Sequence, residues 1–222
     1  MTHLRRLLPT SIRESIRLVR NIDPQFRAAL FLSAIRRLVG RDTSGLLPVG
    51  LRDRPTVVFI CRGNLYRSPM AMALMVEMTN PANPAGITLA SAGLRARPGR
   101  PAPSDACAVA REFQVSLDAH RATPLTAEMV AAADVLVIMD RENEAELLSR
   151  FPASKSRAVL LGSFDRSGNA PATIADPYAK GDQAVRDCYS RIQRSVAGLH
   201  AALSRLPSPD DGISASTAGL SR

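Results

Sequence analysis

Tryptophan is absent from the 222 residues, and aromatic side chains together make up only 4%. Single-stranded nucleic-acid binders stack bases on aromatic rings, so this scarcity argues against nucleic acid as the partner even though the formal net charge is +9. Cysteine is equally sparse. Cys61, Cys107 and Cys188 are too few and too scattered for a disulfide framework or a Cys-x-x-Cys metal site, and this usage reads as cytoplasmic. No apolar run approaches the ~18 uncharged residues that a membrane span requires. The longest N-terminal run, residues 28–35, is flanked by arginines and no small-residue cleavage pattern follows it.

What remains is a chain of ordinary globular make-up. Hydrophobic residues account for 45% and charged residues for 22%, which excludes a wholly disordered or fibrous protein. The length suits one domain with extensions, at ~100–200 residues per domain. The basicity is unevenly placed: residues 1–54 hold eleven arginines against Glu14, Asp23, Asp42 and Asp53. In that stretch Ile12, Ile16 and Val19 recur at helical spacing, as do Phe26, Leu30 and Ala34, so two short amphipathic helices are expected. Residues 45–55 mix Gly, Pro and charge without a period and read as a linker. The expected organisation is a basic helical extension and linker over 1–54, a catalytic domain over 55–206, and a Ser-, Pro-, Gly- and Asp-rich disordered tail over 207–222.

From residue 56 onward, strand and helix patterns alternate. Apolar strands are expected at 56–60, 87–90, 134–139 and 157–161, and helices at 68–78, 104–113, 142–149 and 180–206. Four apolar strands separated by helices predict an α/β fold: a four-stranded, doubly wound parallel sheet in a flavodoxin-like or Rossmann-like three-layer arrangement.

The first strand runs directly into Cys61-Arg62-Gly63-Asn64-Leu65-Tyr66-Arg67-Ser68, and Pro69 opens the helix. A cysteine is thereby placed between a strand and a helix N-terminus. Gly63 and Asn64 can adopt left-handed angles that turn successive N–H groups inward, and the helix adds its partial positive charge. Such a loop cradles a dianion and favours the thiolate, the nucleophilic form of Cys61. Arg67 can fork onto two phosphate oxygens. The sequence contains its own control: Cys188 also has an arginine six residues on, Arg194, but it lies inside a helical pattern, follows no strand and has no glycine in between. Downstream, Asp176-Pro177-Tyr178 forms a stiff turn before the last helix, where Asp176 could protonate a departing oxygen.

With these features the chain resembles the low-molecular-weight protein tyrosine phosphatase family, bacterial type, with an N-terminal extension. The family's Cys-x-Gly-Asn-x-x-Arg-Ser-Pro loop stands at 61–69, its Ser-Ala-Gly at 91–93, its His-Arg-Ala at 120–122, its Ala-Asp at 133–134 and its Asp-Pro-Tyr at 176–178. The resemblance implies that Cys61 is the nucleophile, Arg67 the phosphate clamp and Asp176 the general acid and then base. Ser68 would donate its hydroxyl to the thiolate, and Asn64 and His120 would hold the loop in shape. Substrate would meet Arg62, Gly63, Asn64, Leu65, Tyr66, Ser68 and Tyr178. No metal or organic cofactor is implied. The implied substrate is a phosphotyrosine protein, for bacterial relatives a tyrosine kinase tail in polysaccharide export. The basic arm lies outside the resemblance; its apolar stripes and arginines are expected to pack on the core or on a second copy as a homodimer, or to lie on an anionic membrane surface or an acidic partner segment.

The departures from the family pattern matter too. Tyr66 stands where many members have a second loop cysteine, Met72 where many have glutamate, and Ala179 where many have a second aromatic. Arg62, Arg95, Arg97 and Arg100 predict a positive rim. Arsenate reductases share the loop but need two further cysteines after the third strand, where this chain reads Val137-Ile138-Met139-Asp140-Arg141. Arginine phosphatases resemble it with threonine after the Asn, where this chain has Leu65. A non-catalytic phosphopeptide- or nucleic-acid-binding module is expected to have lost Cys61, Arg67 or Asp176, and all three are present.

Overall fold

The computed structural model describes residues 47–52, 54–79, 86–168 and 170–206. The two arm helices and the tail expected from the sequence lie outside these residues.

Strand β1, Thr56–Cys61, is built of β-branched and aromatic residues that suit a strand buried on both faces. It pairs in parallel with β2, Thr88–Gly93, on one side and with β3, Val135–Ile138, on the other; β3 pairs in parallel with β4, Ala158–Leu160. The order is β2-β1-β3-β4, and the sheet is four-stranded and parallel as the alternating pattern predicts. The period of two divides the core. Val57, Phe59 and Cys61 face a cluster formed with α1 (Arg67–Met78), α2 (Ser104–Glu112) and α5 (Asp182–Leu203). Val58 and Ile60 face a smaller one formed with α3 (Ala127–Ala132) and α4 (Arg141–Arg150).

Helix α5 lays Val185, Tyr189, Ile192, Val196, Leu199 and Leu203 on the core at three- and four-residue spacing. It approaches so closely that a Cβ on Gly198 would lie 1.9 Å from the Phe164 carbonyl oxygen. Two short features differ from expectation. β2 continues past Ala90 to Gly93, carrying Ser91 to the site. Helix α3 has no counterpart in the pattern reading, because six residues are too few to show a period; the Thr126 side chain caps it by accepting from the Met129 N–H at 3.2 Å.

The stretch read as a linker makes specific contacts before the first strand. Leu47 and Leu51 pack against the larger cluster. Arg52 forks onto Asp134 with Nε to Oδ1 at 2.9 Å and Nη2 to Oδ2 at 2.7 Å, and Oδ2 also accepts the Thr56 N–H at 2.8 Å. The sheet order reverses direction between β1 and β3, and the carboxyl ends of those two strands are where such folds place a ligand crevice.

Candidate active site

The loop from Cys61 to Ser68 leaves β1 at that crevice and closes on the N-terminus of α1. Asn64 is its pivot. With φ +52 it takes the left-handed angle that asparagine tolerates, which turns its own N–H onto Cys61 Sγ at 3.2 Å. Gly63, expected to share this role, does not have positive φ, and a Cβ there would meet nothing nearer than the Leu65 side chain at 3.7 Å. The close approach belongs instead to Gly93, where a Cβ would lie 2.8 Å from the Asn64 nitrogen. From the end of β2, Leu94 N–H donates to Cys61 O at 3.0 Å and Arg95 N–H to Arg62 O at 2.7 Å, stitching the loop to the sheet edge.

The Asn64 side chain satisfies all its bonds while fully buried. Its Oδ1 accepts the Thr123 N–H at 2.8 Å, and its Nδ2 donates to Ser68 Oγ at 2.9 Å and Ser91 Oγ at 3.0 Å. Because an N–H can only donate, the Thr123 contact fixes which amide atom is oxygen. His120 Nε2 lies 2.7 Å from the Asn64 carbonyl, which can only accept, so Nε2 carries the proton. Ser68 Oγ lies 3.1 Å from Cys61 Sγ. The sulfur thus accepts the Asn64 amide and lies beside the Ser68 hydroxyl, which is also within donating distance of the Ala92 carbonyl at 3.3 Å.

Arg67, 2% exposed, reaches under the loop. Its Nη1 donates to Asp140 Oδ2 at 2.5 Å and Ile174 O at 3.0 Å, and its Nη2 donates to Asp176 Oδ2 at 2.6 Å. Burial alone would lower the guanidinium pKa, but Asp140, Cys61 and Asp176 outweigh it and the net direction is upward, so the charge is secure. Lys180 Nζ donates to the Asp176 carbonyl at 2.7 Å, bracing the backbone of that loop. A cavity of about 460 Å³ opens above Cys61, walled by Leu65, Tyr66 and Tyr178, with Arg62, Arg95, Arg100 and Lys180 exposed around it.

A family model, that of the low molecular weight phosphotyrosine protein phosphatases, matches residues 56–207. The chain belongs to that family. Over 141 residues the phosphatase is 35% identical to the "Probable low molecular weight protein-tyrosine-phosphatase EpsP" of Ralstonia nicotianae, covering 64% of this chain and 90% of that protein. Among solved structures it is similar to the tyrosine phosphatase AmsI of Erwinia amylovora, at 30% identity and TM-score 0.61, covering 68% of this chain and 95% of that one. It is also similar to the YwlE arginine phosphatase of Geobacillus stearothermophilus, at 29% identity and TM-score 0.60, covering 68% and 93%.

In the phosphatase, the residues singled out from the sequence divide into two layers. Cys61, Arg62, Gly63, Leu65, Tyr66, Arg67, Asp176 and Tyr178 line the cavity. Asn64 and Ser68, expected among the substrate contacts, are fully buried behind the loop with His120 beside them, because their bonds go to Cys61, Ser91 and Thr123 rather than into the cavity. Arg95 of the rim is anchored by both Glu146 oxygens, at 2.9 and 3.0 Å.

Three participants escaped the sequence reading. Asp140, just past β3, holds Arg67; its place at the carboxyl end of the strand beside β1 was the available signal. Ser91 supports Asn64, and Asp105 accepts the Tyr66 hydroxyl. Among the described residues no group of three or more His, Cys, Asp or Glu is placed to hold a metal, and no helix is long and apolar enough to cross a membrane.

Proposed function

We propose that the protein hydrolyses phosphotyrosine in protein substrates through a phosphocysteine intermediate. The observation that carries this reading is Cys61 Sγ, with the Asn64 N–H turned onto it and the Ser68 hydroxyl 3.1 Å away, lining a cavity it shares with the buried Arg67. The phosphoryl oxygens take the loop N–H groups and Arg67, as in other anion cradles at helix N-termini. The Cys61 sulfur attacks phosphorus in line. The S–P bond forms as the P–O bond to the tyrosyl ring breaks, and Asp176 gives its proton to the leaving oxygen. Asp176 then takes a proton from water as that water attacks phosphorus, the S–P bond breaks and inorganic phosphate leaves. Charge on the transferring group is stabilised throughout by Arg67 and the loop amides.

The apolar wall of Leu65, Tyr66 and Tyr178 supports an aryl ester over phosphoarginine, whose guanidinium brings charge and hydrogen-bond donors to that wall. The physiological substrate in this reading is the phosphorylated tail of a cytoplasmic tyrosine kinase in polysaccharide export. The basic residues 1–46 serve as a docking element for a second copy or for an anionic membrane surface.

Two variants test the chemistry. Cys61→Ser should abolish turnover of aryl phosphates and trap phosphotyrosine peptides. Asp176→Asn should lower kcat on phenyl phosphate by about 10²-fold or more, but much less on 4-nitrophenyl phosphate, whose leaving group needs no proton. Equal losses on the two esters contradict the acid role. Faster turnover of phosphoarginine than of phosphotyrosine peptides contradicts the substrate class.

A further inference from the structure

The residue beside Arg67 carries an arrangement that the mechanism above does not use. Tyr66 is 7% exposed, and its hydroxyl donates to both oxygens of Asp105, at 2.9 and 3.0 Å. Asp105 is itself fixed in the first turn of α2, where its Oδ1 accepts the Ala106 N–H at 2.8 Å. Burial and then Asp105 raise the phenol's pKa well above the usual tyrosine range, so the hydroxyl stays a donor. The ring of Tyr66 meets that of Tyr178 edge to face, with centroids 6.2 Å apart and planes at 90°. Tyr178 is two residues from Asp176, and its N–H donates to Asp176 Oδ1 at 3.3 Å.

Two adjacent residues of the phosphate loop therefore grip the Asp176 loop by different means. Arg67 holds it through an ion pair and Tyr66 through a ring contact. The ion pair is the grip that substrate weakens, because a phosphate in the cradle shares the guanidinium that now holds Asp176. The ring contact needs no such exchange and can persist while Asp176 turns to the leaving oxygen.

We propose that Tyr66, braced by Asp105, is a positioning residue that keeps the Asp176 loop in register on the substrate-bound phosphate loop, acting through Tyr178. The proposal rests on the general-acid reading of Asp176. It makes the Tyr66–Asp105 bond matter when the leaving group needs a proton and matter little when it does not. The two residues act as one unit, so their effects do not add.

The test compares kcat and KM on phenyl phosphate and 4-nitrophenyl phosphate for Tyr66→Phe, Asp105→Ala, the double variant and Asp105→Asn, which retains an acceptor. Tyr66→Phe and Asp105→Ala should each lower kcat on phenyl phosphate by about five- to tenfold, with a clearly smaller loss on 4-nitrophenyl phosphate and no change in inhibition by inorganic phosphate. The double variant should be no worse than either single one, and Asp105→Asn should recover most of the rate. If Tyr66→Phe folds poorly, Asp105→Ala removes the same bond from outside the loop. Equal losses on both esters, a wild-type ratio in both single variants, or additive losses would overturn the inference and leave the Cys61 mechanism standing. Aryl phosphate turnover surviving in Cys61→Ser would overturn that mechanism and this inference with it.

Discussion

A single side chain's reactivity depends on what surrounds it, and the three cysteines of this chain show how far those surroundings differ. Cys61 accepts the Asn64 N–H, lies 3.1 Å from the Ser68 hydroxyl and lines an open cavity. Cys188, 6% exposed in the core face of α5, has its thiol pushed up to about 12 by burial, and Cys107 is raised in the same direction, again chiefly by burial. A raised thiol pKa leaves the neutral form dominant at pH 7, and the neutral thiol is a poor nucleophile. Iodoacetate at pH 7 should therefore label Cys61 first, with inorganic phosphate protecting it, while Cys188 stays unlabelled until the protein unfolds. Peptide mass spectrometry reads this directly, and labelling of Cys188 ahead of Cys61 would contradict it. Cys61, Arg67 and Asp176 could be found in the sequence because their chemistry is written in short contiguous stretches. Asp140, 73 residues from its partner Arg67, left only its place at a strand's carboxyl end as a signal, and Asp105, 39 residues from Tyr66, left none, because only the folded chain brings these pairs together.

At the scale of elements, the phosphate loop keeps its shape because β2 comes close to it. Gly93 ends β2 against the loop, where a Cβ would sit 2.8 Å from the Asn64 nitrogen, 2.9 Å from the Gly63 carbonyl carbon and 2.8 Å from the Ala96 Cβ. Two of those three atoms are backbone and cannot rotate away. Gly93→Ala should cost about 1–3 kcal/mol of stability, as overpacking does, and should reduce aryl phosphate turnover by displacing the Asn64 N–H from Cys61. Gly63→Ala, meeting only the Leu65 side chain at 3.7 Å, should leave stability within about 0.5 kcal/mol of the parent. Urea unfolding separates the two, and equal costs would refute the contrast. The sequence reading assigned left-handed backbone to both Gly63 and Asn64, of which only Asn64 has it, and left the close approach at Gly93 unread, because a motif shows which residues are small and not which neighbour comes near. Strands and long helices were legible from their periods. α3 and the extension of β2 to Gly93 depend on a six-residue turn and on cross-strand pairing, which leave no period to detect.

Over the whole molecule, the first 46 residues are strongly basic, holding nine arginines against Glu14, Asp23 and Asp42. Among the described residues, those from 47 onward build the sheet, two apolar clusters and the cavity. The parallel sheet and its crevice were readable from the alternation of apolar strands and helices. The packing of Leu47 and Leu51 was not, because two residues show no period on their own. Their packing and the Arg52 fork on Asp134 distinguish two truncations. Deleting residues 1–46 should leave phenyl phosphate turnover within a few fold and Tm nearly unchanged. It should also remove salt-sensitive sedimentation with anionic vesicles, or self-association, whichever docking role the arm serves. Deleting residues 1–54 removes in addition two half-buried leucines, each contributing about 1 kcal/mol, and the exposed Arg52 fork on Asp134, so this variant should be less stable by about 2 kcal/mol. Equal melting of the two truncations would show that the contacts of residues 47–52 contribute nothing to stability, and loss of turnover in a folded 1–46 deletion would show that the arm helps to build the active site.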